Sequence, residues 1–241
     1  MTGVKQLVII PTYNEIGNIA RMIDAVMQLP VEFDLLVVDD GSPDGTAEVV
    51  RQLNSPRVHL MERSGKLGLG SAYIAGFKWA LEKNYDYIYE MDCDFSHNPN
   101  DLVRLSETLT SKEADVVVGS RYVAGVNVVN WPMGRLLLSY FASMYVRIVT
   151  RMKVKDATAG FVGYSKEALS AIDLDRVKMQ GYGFQIEMKY TAIKLGFKLR
   201  ELSIIFTDRC EGVSKMSGGI FSEALFGVLA LPLRRIRRRS I

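Results

Sequence analysis

Short apolar runs alternate with longer stretches of helical periodicity through the first half of the chain. The runs are four to six residues long, rich in Val, Ile and Leu, and each is followed by a stretch with a helical repeat. This alternation is typical of parallel strands whose sheet is covered by helices on both faces. We therefore predict an α/β fold with a mostly parallel central sheet. The predicted strands are Leu7–Ile10, Phe33–Val38, Val58–Met61, Tyr87–Met91 and Asp115–Gly119.

The helices predicted between these strands are Glu15–Gln28, Asp44–Leu53, Gly68–Lys83 and Pro99–Ser111. The second half is less regular and predicts a long aromatic helix, a strand, a helix, a strand and a last helix. Pro232 should kink or interrupt that last helix, because proline lacks a backbone N–H. In chain order, these elements are Pro132–Met152, Thr158–Tyr164, Tyr182–Leu195, Lys198–Phe206 and Phe221–Arg238.

The composition is that of an ordinary globular protein. The 241 residues are 48% hydrophobic and 24% charged, and a net charge of +3 does not indicate a strongly basic nucleic-acid binder. Two cysteines provide no disulfide framework, which favours a reducing compartment. We expect no signal peptide and no membrane-spanning helix, since no stretch reaches the roughly 18 apolar residues that a span requires.

The positive charge is concentrated at one end, because the last eight residues contain five arginines and no acid. An apolar helix ending in such a cluster is compatible with a solvated end, a nucleic-acid patch or a helix lying on an anionic membrane surface. The apolar residues beside the arginines favour the membrane surface. We predict a main domain at residues 1–218 and an amphipathic, basic membrane-surface helix at residues 219–241.

The most informative motif is Asp92-Cys93-Asp94, which closes the predicted strand Tyr87–Met91. Residues two apart on a strand point the same way, so both carboxylates can reach one point. Paired hard oxygens suit Mg²⁺ or Mn²⁺, and Ser96 would add a weaker oxygen. The plainer interpretation of a single Asp-x-Asp is a pair of solvated loop acids.

The loops after the other strands are also rich in polar residues. Asp40 lies in a tight turn before a helix, where it either caps the turn or binds a ribose or a base. Tyr13 opens the first helix and either packs there or flanks a nucleobase. Lys66 lies in a glycine-rich turn that matches neither the phosphate-loop pattern nor the dinucleotide fingerprint, yet it is free to face a diphosphate.

Basic residues follow the later elements. Arg121 comes after a strand, Arg135 lies on the aromatic helix, and Arg209 and Lys215 lie in one short segment near the end. Each one alone is as well explained by solvation or by pairing with an acid. Together, near a metal and a diphosphate, they suggest that a second phosphate is bound.

These motifs together resemble the family 2 glycosyltransferases of the GT-A fold, and within them the polyprenyl-phosphate mannosyltransferases of the dolichol-phosphate mannose synthase type. The resemblance covers nearly the whole chain. Stretches that mark the broad superfamily are Pro11–Glu15, Val38–Thr46, Gly65–Gly70 and Met91–His97. The segment Arg209–Lys215 points to the polyprenyl-phosphate branch. Further matching stretches are Gly119–Tyr122, Asp156–Phe161 and Gly181–Glu187.

The resemblance implies four groups of site residues. The donor would be bound by Pro11, Tyr13, Glu15, Val38, Asp40, Lys66, Asp92, Cys93, Asp94, Arg209 and Lys215. The metal ligands would be Asp92, Asp94 and Ser96. The acceptor phosphate would be bound by Arg121, Arg135 and Ser139. The catalytic residues would be Asp94, Arg121 and Arg209. Ser96 stands where relatives commonly have glutamine, and Cys93 where alanine is frequent, so Cys93 would act through its backbone.

The implied reaction transfers mannose from GDP-mannose to a polyprenyl (dolichyl or undecaprenyl) monophosphate with inversion, using Mg²⁺ or Mn²⁺. The implied location is the cytoplasmic face of a membrane, where the chain would be peripheral, and a membrane-anchoring partner subunit is compatible with it.

Several alternatives stay open at this stage. The same fold could use UDP-glucose or a UDP-N-acetylhexosamine, or could transfer to a saccharide hydroxyl. An acceptor hydroxyl needs a general base, for which Asp156 and Glu187 are the candidates. A non-catalytic nucleotide-binding or membrane scaffold protein is disfavoured by the intact Asp92 and Asp94. A nucleic-acid binder lacks a recognised module, and we expect no nucleic-acid partner.

Overall fold

The structure is a computed structural model that describes residues 3–208, 225–236, 238 and 239. Its strands are β1 (Gln6–Thr12), β2 (Asp34–Asp39), β3 (Val58–Glu62), β4 (Tyr87–Glu90), β5 (Val116–Ser120), β6 (Val128–Val129), β7 (Val162–Ser165), β8 (Leu199–Ser203) and β9 (Phe206–Thr207). Its helices are α1 (Ile19–Met27), α2 (Thr46–Gln52), α3 (Leu69–Glu82), α4 (Asp101–Thr110), α5 (Met133–Thr150), α6 (Lys166–Ala171) and α7 (Gly181–Lys194), with 3₁₀ turns at Leu174–Arg176 and Leu231–Leu233. Residues 225–230 are also helical.

Seven strands form one sheet in the order β3-β2-β1-β4-β7-β5-β8. Neighbouring strands pair in parallel except for β7, which runs antiparallel between β4 and β5. The prediction of a mostly parallel α/β sheet is therefore confirmed. The reversed β7 has a direct consequence for the site, because its entry loop reaches the same sheet edge as the carboxyl ends of β4 and β5.

Helices bury both faces of this sheet, as the alternation within β1 shows. Leu7 and Ile9 pack in a core cluster with Tyr73 and Phe77 of α3, whereas Val8 and Ile10 pack on the other face with residues of α1 and α4. All four β1 side chains are fully buried. Successive strand residues point to opposite faces, so a continuous apolar run is what a doubly covered strand requires.

Three predicted elements differ from the structure in their bounds. Helix α1 begins at Ile19 rather than Glu15. Residues 16–18 form a turn, and the N–H of Glu15 before it donates to the Thr46 hydroxyl at 3.0 Å. The strand predicted from Thr158 begins only at Val162, since Thr158 is held by the Arg121 side chain at 2.9 Å. The strand predicted over Lys198–Phe206 is broken between β8 and β9.

Helix α6 was not predicted, although the sequence carries a local signal for it. Ser165 is its N-cap, and the Ser165 hydroxyl accepts a hydrogen bond from the N–H of Ala168 at 3.2 Å. Serine is a favoured N-cap residue because its oxygen satisfies a helix donor that has no partner within the helix.

The C-terminal helix ends earlier than predicted. Helical residues 225–230 pass into the 3₁₀ turn at Leu231–Leu233, which contains Pro232, so the predicted extension to Arg238 is wrong and the predicted interruption at Pro232 is confirmed. The predicted first residues 221–224 lie outside the described part of the chain.

Beyond the 3₁₀ turn, Arg234 forms an ion pair with Glu187 at 2.5 Å, and the N–H of Arg239 donates to the Ala171 carbonyl at 3.0 Å. In the described residues, no helix is long and apolar enough to cross a bilayer.

We predict that Gly163→Ala destabilises the fold by about 1–3 kcal/mol, the usual effect of overpacking a core. A Cβ at Gly163 would lie 2.8 Å from Tyr89 and 2.9 Å from Leu109. Gly134→Ala is the control, because its Cβ would meet nothing within 4 Å. Urea unfolding measures both variants, and equal stability of Gly163→Ala and the wild type would contradict the prediction.

Candidate active site

The loops that follow β1, β2, β4 and β5 meet at one edge of the sheet. These strands point the same way, and in α/β sheets ligands bind outside the carboxyl ends of the strands. The loop at residues 156–161, which leads into the reversed β7, joins the same edge. This edge is therefore the candidate active site.

The loops after β1 and β2 are tied to each other. Buried Asp39 accepts hydrogen bonds from the Thr12 hydroxyl at 2.8 Å and from the Ser42 N–H at 2.8 Å. The Ser42 hydroxyl accepts from the N–H of Asn14 at 3.0 Å. Asp39 thus shapes the turn, whereas the next residue, Asp40, is the one that faces the loop after β3.

Asp40 is held by an arginine that the sequence analysis did not select. Arg63 donates through Nε to Asp40 Oδ1 at 2.6 Å, and the N–H of Leu67 donates to Oδ2 at 3.0 Å. Arg63 also donates to the Ser71 hydroxyl at 2.9 Å. The sequence marks Arg63 only by its position after β3, so the pairing of Arg63 with Asp40 could not be predicted before the fold was known.

The remaining predicted donor residues of the first half surround this turn. Lys66 is exposed, and its Nζ lies 5.0 Å from the centre of the Tyr13 ring. The carboxylate of Glu15 accepts from the Asn18 amide at 3.0 Å. Pro11 is partly buried and the Val38 side chain is fully buried, so Val38 can reach a ligand only through its backbone.

The acidic motif forms the loop after β4. Asp92 and Asp94 are partly exposed, whereas Cys93 between them is buried. The Tyr73 hydroxyl lies 3.5 Å from Asp92 Oδ1, and the N–H of Ser96 donates to Asp94 Oδ1 at 3.0 Å. Ser96 is buried, and its carbonyl accepts from the N–H of Thr207 at 3.2 Å. The loop is thus anchored from α3 and from β9.

His97 closes the buried side of this loop. Its ring stacks on Phe161 at a centroid distance of 5.0 Å and meets Phe206 edge-on at 5.3 Å. Burial lowers the pKa of His97 to about 4, and the positive charge of Arg121 acts in the same direction. His97 is therefore a neutral packing residue near pH 7, as the usual role of a loop histidine would suggest.

The donor set of this loop fits a hard divalent cation. No cluster of three or more His, Cys, Asp or Glu side chains occurs among the described residues. Mg²⁺ is commonly held by one or two carboxylates while substrate phosphates and water complete its coordination. Asp92 and Asp94 meet that description, and the Ser96 N–H orients one of the two carboxylates.

Arg121 and Asp156 form a buried ion pair beside the acidic loop. Arg121 donates through Nε and NH2 to the two Asp156 oxygens at 2.7 and 2.6 Å, and its backbone N–H donates to Asp156 at 2.9 Å. The guanidinium also lies between the rings of Tyr122, Trp131 and Phe206, at 5.3, 5.4 and 5.6 Å from their centroids. Burial opposes the charge, yet Asp156 raises the pKa of Arg121 above its ordinary value.

The other predicted acceptor residues lie in the same place. Arg135 shares Trp131 with Arg121, its guanidinium lying 4.3 Å from the ring centroid. Arg135 forms an ion pair with Asp208 at 2.8 Å, and Ser139 lies beside the Tyr122 hydroxyl. The fold therefore brings Arg121, Arg135 and Ser139 together. The predicted residues Arg209 and Lys215 lie outside the described part of the chain.

Neither carboxylate considered as a general base has a free oxygen for that role. Asp156 is fully buried, and both of its oxygens are bound by Arg121. Glu187 accepts from the N–H groups of Lys178 and Met179 at 3.0 and 2.8 Å through one oxygen, and from Arg234 at 2.5 Å through the other.

Comparison with known proteins identifies the class to which this fold and site belong. Residues 7–173 match the family model for glycosyl transferase family 2, and the chain belongs to that family. It is therefore a glycosyltransferase.

Two relatives are similar to this chain over most of its length. The chain is 46% identical over 224 residues to the undecaprenyl-phosphate mannosyltransferase of Micrococcus luteus, covering 92% of this chain and 91% of that protein. It is also 46% identical over 233 residues to the polyprenol monophosphomannose synthase of Mycolicibacterium smegmatis, covering 95% and 88% of the two chains.

The fold likeness extends to solved structures. The structure of glucosyl-3-phosphoglycerate synthase from Mycobacterium tuberculosis, in complex with Mn²⁺, UDP and glucosyl-3-phosphoglycerate, superposes with a TM-score of 0.68 at 18% identity. The match covers 95% of this chain and 79% of that one. The predicted GT-A-like architecture is confirmed.

We predict that Asp156→Asn destabilises the protein by about 3–5 kcal/mol, because it leaves the buried Arg121 guanidinium without its counter-charge. The control is Asp175→Asn, which removes an exposed partner of Lys78 and should leave stability nearly unchanged. Chemical unfolding of both variants at neutral pH tests the difference. Similar small losses in the two variants would show that the buried pair is not needed to stabilise the loop.

Proposed function

We propose that this protein transfers mannose from GDP-mannose to a polyprenyl monophosphate with inversion, giving a β-linked mannosyl polyprenyl phosphate and GDP. One observation carries the proposal: the Asp92–Asp94 loop and the Arg121–Arg135 cluster lie at the same edge of the sheet, joined through the Ser96–Thr207 hydrogen bond. An edge that combines carboxylates with guanidinium groups suits two phosphate-bearing substrates.

The names of the two relatives support the mannosyl donor and the polyprenyl-phosphate acceptor. Identity of 46% extends over at least 92% of this chain in both comparisons. Guanine as the donor base is our inference from the resemblance. UDP-glucose and UDP-N-acetylhexosamines remain the alternative donors, and the likeness to a UDP-glucose enzyme at about one-fifth identity concerns the fold alone.

The hydrogen bonds that occupy Asp156 and Glu187 support a phosphate acceptor over a hydroxyl acceptor. A hydroxyl acceptor needs a general base, and the oxygens of Asp156 and Glu187 are already engaged. A phosphate monoester with a second pKa of about 6 is already largely ionised at neutral pH. Attack by such an anion requires only that the chain hold it in line with the anomeric carbon, and Arg121, Arg135 and Ser139 would do so.

Asp94 would be the main metal ligand, assisted by Asp92 and Ser96. When bound, Mg²⁺ or Mn²⁺ would neutralise charge on the departing diphosphate. The chain itself supplies the rest of the electrostatic arrangement. The Ser96 N–H fixes Asp94. Arg63 holds Asp40, which would bind the nucleoside. Lys66, beside Tyr13, would face the diphosphate.

The outer face of α5 supports a peripheral position on a membrane. Its exposed apolar residues include Met133, Leu137, Phe141 and Ile148, and residues 116–155 contain six cations and no acid.

The Tyr145 hydroxyl donates to the Leu225 carbonyl at 2.8 Å, so α5 lies against helical residues 225–230. Phe226 and Leu229 are exposed there. We propose that these two helices rest on an anionic bilayer, on the cytoplasmic side; an anchoring partner subunit stays a prediction.

We predict that Asp94→Ala lowers mannosyl transfer by about 100-fold or more, because it removes an anchor of the leaving diphosphate. The assay offers GDP-mannose, UDP-glucose and UDP-N-acetylglucosamine to the wild type with polyprenyl phosphate and Mg²⁺ or Mn²⁺. Titration calorimetry follows GDP binding with and without metal. Asp24→Ala, an exposed acid on α1, is the control.

The wild type should use GDP-mannose best, and Asp94→Ala should lose the metal dependence of GDP binding. Preference for a UDP-sugar would refute the donor assignment. Near-normal turnover of Asp94→Ala, or full turnover in excess chelator, would refute the metal assignment.

We predict that Ile148→Asp and Phe226→Asp each weaken binding to phosphatidylglycerol vesicles by about tenfold or more, since each removes an apolar contact with the bilayer. The control is Val4→Asp, an exposed apolar residue outside both helices. Vesicle sedimentation measures binding, and a short soluble acceptor measures turnover. Unchanged vesicle binding by both variants would refute the docking surface, and an equal loss of soluble turnover would indicate a folding defect instead.

A further inference from the structure

Three buried polar residues beneath the site have no place in the reaction described above. Glu90 is the last residue of β4 and is fully buried. The Gln185 amide of α7 donates to the Glu90 carboxylate. Lys189 lies one turn further along α7 and is also fully buried. These residues form a continuous polar link between α7 and the strand that carries the acidic motif.

Lys189 is bound by backbone oxygens of the loop at residues 156–161. Its Nζ donates to the Ala159 carbonyl at 2.6 Å, to the Ala157 carbonyl at 3.2 Å and to the Gln185 carbonyl at 3.2 Å. An ammonium group has three N–H donors, so this arrangement uses its full capacity. The side chain therefore fixes two peptide groups of one loop to one helix.

That loop supplies both sides of the candidate active site. Asp156 at its start binds Arg121. At its other end, a Cβ on Gly160 would lie 4.0 Å from Asp92 Oδ2 and 3.9 Å from Gln185 Nε2. A displacement of this loop would therefore move two residues together: Asp156, which binds Arg121, and Gly160, which lies behind Asp92.

Burying this ammonium is unfavourable for stability. Isolated burial of a charge costs several kcal/mol, and an apolar residue of similar volume is often neutral or stabilising at such a position. Burial lowers the pKa of Lys189 to about 8, while the carboxylates of Glu90 and Asp156 oppose that shift. The contacts that Lys189 makes in return are all directed at the loop and at α7.

We propose that Lys189 is a positioning residue for the transfer reaction: through the Ala157 and Ala159 carbonyls it holds the loop that orients Arg121 and supports Asp92. The inference rests on the proposed function, because it assigns to Arg121 and Asp92 the roles given there. Lys189 itself contacts neither substrate.

Lys189→Met is the decisive variant, because it keeps a long side chain and removes all three donors. Lys194→Met is the matched control, since Lys194 is exposed on the same helix. We expect Lys189→Met to lose about tenfold or more in kcat per folded molecule, as small misplacements of catalytic groups do. The donor KM should change less than kcat does, because Asp40 and Tyr13, which would bind the nucleoside, are not touched. Lys194→Met should match the wild type in both.

Hydrogen exchange without substrates provides a second readout. Amides in the loop at residues 156–161 should exchange faster in Lys189→Met, while those of β1 and β2 should not. Gln185→Leu removes the link to Glu90 but leaves Lys189 its carbonyl partners. It should show a smaller loss of kcat than Lys189→Met. If Lys189→Met does not fold, Lys189→Gln replaces it in the test, because a shorter side chain weakens the bonds to the Ala157 and Ala159 carbonyls, and the same loss of kcat is expected.

A double variant separates positioning from general stability. Thr158→Val removes the second oxygen bound by the Arg121 NH2 group. If both residues act on Arg121 through this loop, the loss of kcat in the double variant is smaller than the product of the single losses. Losses that multiply independently overturn the inference.

The failure of this inference and of the proposed function can be told apart. Assays use whichever donor the wild type turns over, so a different donor refutes the proposed function and leaves the Lys189 comparison intact. A Lys189→Met protein with a lowered unfolding temperature, but wild-type kcat per folded molecule, overturns the inference and leaves the proposed function standing. Unchanged exchange in the loop also overturns it.

Discussion

The buried pairing of Arg121 with Asp156 is the interaction on which the candidate active site depends. The sheet directs several acids toward one edge, where like charges repel each other. The Arg121 guanidinium is held there by two oxygens, at 2.7 and 2.6 Å, and Asp156 balances its charge within the buried pair. Bidentate geometry restrains direction as well as distance. The same pair ties the loop before β7 to the end of β5, so it fixes the two segments that lie beside the acidic loop.

The reversed strand β7 explains why those two segments meet. In a fully parallel sheet, the loop entering the strand between β4 and β5 would lie at the opposite edge. Because β7 is antiparallel to both neighbours, its entry loop arrives beside Asp92 and Arg121. The small β6–β9 ribbon then brings Trp131 and Phe206 against the same guanidinium. The fold thus adds the loop before β7 and the β6–β9 ribbon to the edge of an ordinary α/β sheet. These two segments surround Arg121, as expected of a site that binds a second, anionic substrate.

The sequence predicted what depends on local pattern. Apolar runs located the strands, and the rule that parallel strands end at one edge brought Asp40, Asp92 and Asp94 together. Pairings between distant segments were not predictable, because periodicity carries no information about them. Arg63 with Asp40, Tyr73 with Asp92, and Lys189 with the Ala157 and Ala159 carbonyls all join residues that are 19 to 32 positions apart. The direction of β7 was hidden for the same reason, since an apolar run reads alike in either orientation.

The two faces of the aromatic helix α5 connect the site with the bilayer proposed to carry its acceptor. Arg135 and Ser139 face the Arg121 cluster, while Phe141 and Ile148 face outward. A lipid acceptor has the same division, with a charged phosphate and an apolar chain. A single helix that presents Arg135 to the site and apolar side chains to the outside would let the phosphate enter without removing the lipid chain from the membrane. A saccharide acceptor gives no physical reason for a helix α5 that has no acid and exposes Phe141 and Ile148, so the surface and the site favour the same class of substrate.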